Sequence, residues 1–183
     1  MRTIVLSSSL IAFSIACGYA KLLLFPYLFF VELFTVAVFL SGILAGPAWG
    51  LWIGATSRLV FSVANPYGPP HPWILVAQVV GAALVGGIGG AARPFLLQAP
   101  ESSPMFRARL AILLCCGFVC TVLYDVLTTI AQGIAFESIS VAVALGTLPA
   151  AQHLASNLVI FAVIGNLAVP WLRQHPMAAR HAG

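Results

Sequence analysis

Six apolar runs, each near the length that crosses a lipid bilayer as a helix, follow one another along this chain with only short breaks between them. A hydrocarbon core takes ~20 apolar residues per helical span, so a chain of this size has room for six or seven spans joined by short loops. Only 7% of the residues are charged and 61% are hydrophobic, against roughly a quarter charged in ordinary soluble domains. No soluble fold could bury so much apolar surface. The reading is an all-α integral membrane protein, a six-transmembrane-helix bundle forming a single domain over residues 1–183.

The breaks are Pro26, Gly46-Pro47, the run from Asn65 to Pro72, the polar stretch from Arg93 to Arg107, and the segment around Glu137, Ser138 and Ser140. They predict helices at approximately 3–24, 27–45, 47–64, 73–92, 109–135 and 149–172. The apolar stretch from Ile139 to Leu148 has two readings, a loop that dips into the membrane or part of a longer sixth helix. Arg2 followed by an apolar run resembles a signal sequence, and Ser14-Ile15-Ala16-Cys17 resembles a lipoprotein cleavage box. The apolar run continues past Cys17 into more membrane sequence, which favours a first helix. All four cysteines (Cys17, Cys115, Cys116 and Cys120) lie in apolar runs, where cysteine behaves as a small hydrophobe, so neither a disulfide nor a metal site is expected.

With six spans both termini share one side, and Arg2, Arg93, Arg107, Arg109, Arg173 and Arg180 then lie on that side with Lys21 alone opposite. The positive-inside rule makes the termini cytoplasmic and turns the Asn65 to Pro72 loop outward. The basic residues are scattered singly, with no nucleic-acid-binding pattern.

Ionisable groups inside a membrane cost about 2.5 to 3.5 kcal/mol each on insertion scales, so each needs a partner or a function. Glu32 and Arg58 fall at similar depth, ~8 to 9 Å from the outer ends of the second and third helices, and are expected to form an ion pair. Thr121, Asp125, Thr128, Thr129 and Gln132 recur at helical spacing on the fifth helix; Gln78 on the fourth and Gln152, His153, Ser156 and Asn157 on the sixth lie in the same half of the membrane. Asp125 lies near mid-membrane with no basic residue at its depth, so this lone carboxylate must be neutral, hydrated or bound to something. Each of these groups has a plain alternative as hydrogen-bond glue between helices. Their gathering in the outer half favours an outward-facing pocket contacted by Gln78, Asp125, His153 and Asn157, with Tyr67 and Trp73 at the ends of the proline-rich loop placed to cover a flat ligand.

Small residues form a complementary pattern. Ser8, Ala12, Ala16 and Ala20 recur every fourth position on the first helix; Gly42, Gly46, Gly50 and Gly54 run across the second and third; Ala82, Gly86 and Gly90 line the fourth. Such stripes let helix backbones approach closely. The sequence has no Walker-type phosphate loop, no HExxH, no GxSxG elbow and no paired acidic motif of an intramembrane protease. The reading is therefore not an enzyme and takes no cofactor, and any energy must come from an ion gradient or a partner ATPase.

Several segments taken together resemble a known family. They are the stripe Ala12, Ala16, Ala20; Phe25-Pro26; the stretch from Leu44 to Gly54 (LAGPAWGLWIG); Asn65-Pro66-Tyr67-Gly68; and Leu123 to Thr128 (LYDVLT) with the later His153-Leu154-Ala155-Ser156-Asn157. In order and spacing the chain is similar to the substrate-specific S components of energy-coupling factor (ECF) vitamin importers, over most of its length. That resemblance implies a six-helix subunit of the bacterial inner membrane that captures a water-soluble vitamin-like molecule from outside. It also implies that the alanine stripe docks on a transmembrane T subunit, driven by two cytoplasmic ATPases, and that the S component topples to release its cargo. The ligand residues do not match the riboflavin, thiamine, biotin or cobalamin versions, so the cargo stays open. Two other readings also stay open: a structural protein of the rod-shape MreD type, with no ligand, and a gradient-driven secondary carrier with Asp125 as its ion site, for which no inverted repeat is found.

Overall fold

The computed structural model describes residues 2–24, 32–97 and 103–174. Among these the chain is all-helical: α1 (Arg2–Leu24), α2 (Leu33–Ala45), α3 (Pro47–Val63), α4 (Pro72–Leu97), α5 (Ser103–Ala135), α6 (Ile139–Ile160), a π-helical turn (Phe161–Gly165) and α7 (Asn166–Arg173). Four helical stretches are long and apolar enough to cross a membrane, within Ile4–Leu23, Pro72–Leu97, Phe106–Ala135 and Ile139–Arg173, and Leu33–Ala45 is a shorter apolar helix. This is the make-up of a helical membrane protein.

Three helix bounds differ from the sequence reading, each for a local reason. α4 runs on from residue 92 to Leu97 because Arg93 does not end it. Its guanidinium turns back to donate to the Leu44 carbonyl (3.3 Å), one of the free carbonyls at the C-terminus of α2. α5 begins at Ser103 and not at 109; Pro104 sits in its first turn, where a missing N–H costs nothing. The segment from Ile139 to Leu148 is helix, continuous with the predicted sixth helix, so the dipping-loop alternative is set aside. The start of α6 is fixed by the turn before it. Ser138 N–H bonds the Gly133 carbonyl (2.9 Å) with Glu137 in the left-handed region (φ 57°), which closes α5 in a Schellman motif. The Ser138 hydroxyl then accepts the Val141 N–H and caps the next helix. Phe25, Pro26 and the predicted start of the second helix at 27 lie outside the described residues; Glu32 itself precedes α2 in a non-helical conformation.

The centre of the molecule is the packing of α2, α3 and α4, where glycines set the spacing. A Cβ on Gly42 or Gly50 would strike the Gly86 carbonyl, and one on Gly54 the Ala82 carbonyl. Backbone thus lies on backbone, the close approach that a small-residue stripe permits. Around this seam Phe34, Phe39, Ile43, Val85, Leu96, Leu113 and Phe161 form the apolar core.

Side-chain bonds show which helix ends meet. The Tyr19 hydroxyl donates to the Ala64 carbonyl (2.7 Å), joining the ends of α1 and α3. At the other end of the bundle, Arg173 donates through Nε and Nη2 to the Leu96 carbonyl (3.1 and 2.7 Å), and Arg109 Nε to Asn166 Oδ1 (2.5 Å). Arg93, Arg109 and Arg173 therefore gather at one end, with the α3–α4 loop and the α5–α6 turn at the opposite end.

Candidate functional site

A cavity of about 550 Å³ lies between the second half of α5 and the first half of α6, at the end of the bundle away from the arginines. This volume falls within the range of small-molecule sites. Two carboxylates and an imidazole reach it, Glu32, Asp125 and His153, together with the hydroxyls and amides of Thr128, Thr129, Gln132 and Gln152. Val141, Ala142 and Leu145 of α6 supply apolar wall.

The charged groups form one connected chain. Glu32 meets Arg58 (Oε1 to Nη1, 3.6 Å), Lys21 (Oε2 to Nζ, 4.0 Å) and His153 (Oε2 to Nε2, 3.6 Å), and His153 Nδ1 is 2.8 Å from Asp125 Oδ1. The Glu32–Arg58 contact thus belongs to a larger network and is not an isolated pair. The Arg58 guanidinium also lies 5.2 to 5.5 Å from the ring centroids of Phe34, Phe61 and Tyr124, an arrangement in which the aromatic faces help hold a desolvated cation. Asp125 is not the lone carboxylate that its surroundings in the sequence suggest: His153, 28 residues later, is its partner across the α5–α6 interface.

Behind the imidazole lies a hydrogen-bond chain. The Thr121 hydroxyl donates to the Gly117 carbonyl (2.7 Å), and Asn157 Nδ2 stands 3.0 Å from both Thr121 Oγ1 and His153 Nε2. Because the Thr121 hydrogen is already given to Gly117, the atom facing its oxygen must be a donor, which orients the Asn157 amide. Asn157 thus stands against His153 Nε2 while Nδ1 faces the Asp125 carboxylate, so the ring is held between the two side chains.

The residues expected to contact a ligand separate into two groups. Asp125 and His153 line the cavity. Asn157 is fully buried and acts through His153, and Gln78 accepts a bond from the Ser62 hydroxyl (2.9 Å) between α3 and α4. Neither is part of the cavity wall. Tyr67 is 82% exposed and Trp73 57% exposed, and neither covers the cavity. Glu32, expected only as a structural partner of Arg58, does line it. Thr128, Thr129 and Gln132 were legible as a polar stripe at helical spacing; Tyr124 had no such signal.

Ala12 and Ala16 are exposed and Ala20 half-exposed on α1, as is the rest of that stripe at Ser8. The face of α1 that packs inward carries Ser14 and Gly18 instead, the latter so close to Phe61 and Phe34 that a Cβ would touch both rings. Among the described residues no cluster of His, Cys, Asp and Glu has the make-up of a metal site. No protein family, no curated protein and no solved structure matches the chain.

Proposed function

We propose that this chain is the substrate-capture subunit of an ECF-type importer in a bacterial inner membrane, binding a water-soluble vitamin-like molecule from outside. The observation that carries this reading is the cavity beside Asp125 and His153: ligand-sized, lined by converging polar groups, and set at the end of the bundle opposite Arg93, Arg109 and Arg173. If that arginine end is cytoplasmic, in keeping with the positive-inside rule, the cavity belongs to the outer half of the membrane and both termini to the inside. Six spans fit this orientation, with α6, the π turn and α7 crossing as one helix.

A second feature supports the partner side of the proposal. Ala12 and Ala16 are exposed and Ala20 partly so, leaving a smooth strip on which a helix of a T subunit can lie close. Two cytoplasmic ATPases acting through that subunit supply the energy. The test is purification of the full chain in nanodiscs and a thermal-shift screen of water-soluble vitamins and their precursors. One of them should stabilise the protein by about 2.7 kcal/mol at a hundredfold excess over its Kd. Stabilisation by none of them, with a folded protein in hand, favours the structural rod-shape alternative.

A further inference from the structure

We infer that the cavity selects a ligand carrying a cationic N–H group, such as a protonated amine or amidine, and seats that group on Asp125. The inference rests on the capture reading above and names the chemistry of what is captured.

Three observations lead to it. First, among the described residues no Lys or Arg lines the cavity; its carboxylates and imidazole are Glu32, Asp125 and His153. Second, the two carboxylates are not equivalent. Glu32 has Arg58 and Lys21 as cationic partners (3.6 and 4.0 Å), so its charge is met from behind the cavity wall. Among the described residues the Asp125 side chain meets only His153, whose Nδ1 faces Oδ1 (2.8 Å) while Asn157 occupies the other ring nitrogen. Among the described residues Asp125 Oδ2 has neither a hydrogen bond nor an ion pair, and the side chain is 20% exposed. A carboxylate in a largely apolar bundle, with one oxygen on His153 and the other open beside a cavity, is best satisfied by a cation.

Third, α6 leaves a backbone acceptor without its usual helical partner at the same place. Pro149 lines the cavity inside a helix, and it has no N–H to give to the carbonyl of Leu145, another lining residue one turn earlier. A ligand that presents several N–H groups meets acceptors at Asp125 and Leu145 and apolar wall at Val141 and Ala142. A carboxylate or phosphate ligand would instead face two carboxylates, with no Lys or Arg among the described lining residues to receive it.

The experiment uses benzamidinium, benzamide and benzoate, which share a ring and differ in charge, with the full chain in nanodiscs and isothermal titration. Benzamidinium should bind about tenfold to a hundredfold tighter than benzamide, the range expected for a hydrogen bond to a charged group, and benzoate should bind weakest. Asp125→Asn keeps an oxygen to accept from His153 and should erase the benzamidinium preference, whereas Asp125→Glu should retain part of it. Benzoate binding as tightly as benzamidinium, or a preference that survives Asp125→Asn, would overturn the charge assignment and leave the capture reading standing. Binding of none of the three, together with an empty vitamin screen, would overturn both.

Discussion

His153 is held between two carboxylates, with Nδ1 2.8 Å from Asp125 Oδ1 and Nε2 3.6 Å from Glu32 Oε2, and only the first distance is a hydrogen bond. The ring therefore works for Asp125, while Asn157 occupies its other nitrogen. That division of roles makes each member of the network separately testable.

Glu32 has two cationic partners and Arg58 one carboxylate partner, so their losses are unequal. Glu32→Gln leaves the Arg58 guanidinium among aromatic rings without its counter-charge and should cost ~3 to 5 kcal/mol, the range for breaking a buried pair. Arg58→Met leaves Glu32 its Lys21 and should cost less, and the double variant less than Glu32→Gln alone. Denaturant or thermal unfolding in detergent measures all three; equal and negligible losses would mean that water replaces the partners.

Thr121→Val keeps shape and removes the oxygen that orients Asn157. The amide then loses one partner in a fully buried position, a loss of about 1 to 3 kcal/mol in thermal unfolding. Benzamidinium affinity should also fall, because Asn157 no longer holds the His153 ring in place against Asp125. An unchanged affinity would show that Asp125 alone sets the orientation of His153.

The two faces of α1 should respond oppositely to bulk. Gly18→Leu drives a side chain into Phe61 and Phe34 and should destabilise the isolated protein by about 1 to 3 kcal/mol. Ala16→Trp projects from the exposed face and should leave the melting temperature near that of the parent while abolishing co-purification with the T subunit. Unfolding by Ala16→Trp would place that face inside the folded protein.

Pro149→Ala restores an N–H to the middle of α6. Interior proline costs a helix ~3 kcal/mol in water, so the empty protein should melt at a higher temperature. Benzamidinium should bind more weakly, since the Leu145 carbonyl gains a partner of its own. A stabilised protein with unchanged binding would remove that carbonyl from the site.

Topology is checked by labelling from outside after replacing the four native cysteines with alanine. A cysteine at Gly68, in the exposed α3–α4 turn, should be modified and one at Gln174, beyond Arg173, should be spared. The reverse pattern would put the cavity on the cytoplasmic side.

What the sequence determined by itself is what depends on runs and repeats. Apolar length sets where helices run, and prolines and glycines set most of their breaks, because a bilayer leaves the backbone little choice but to satisfy itself within each helix. The polar half of the bundle was legible for the same reason: depth along a helix is counted in residues. Apart from the Glu32–Arg58 pair, read from shared depth, contact between helices was not legible, since rotation about each axis and the pairing of ends come from packing. Arg93 reads as a helix end until the Leu44 carbonyl is seen to receive it, and Pro149 reads as a helix start until the Ser138 cap places it in the interior. Gln78 and Asn157 lie in the same half of the membrane as Asp125 and His153, yet packing decides that of these four Asp125 and His153 line the cavity and that Glu32 joins them. Depth was written in the chain; azimuth was decided by how tightly glycine let the helices close.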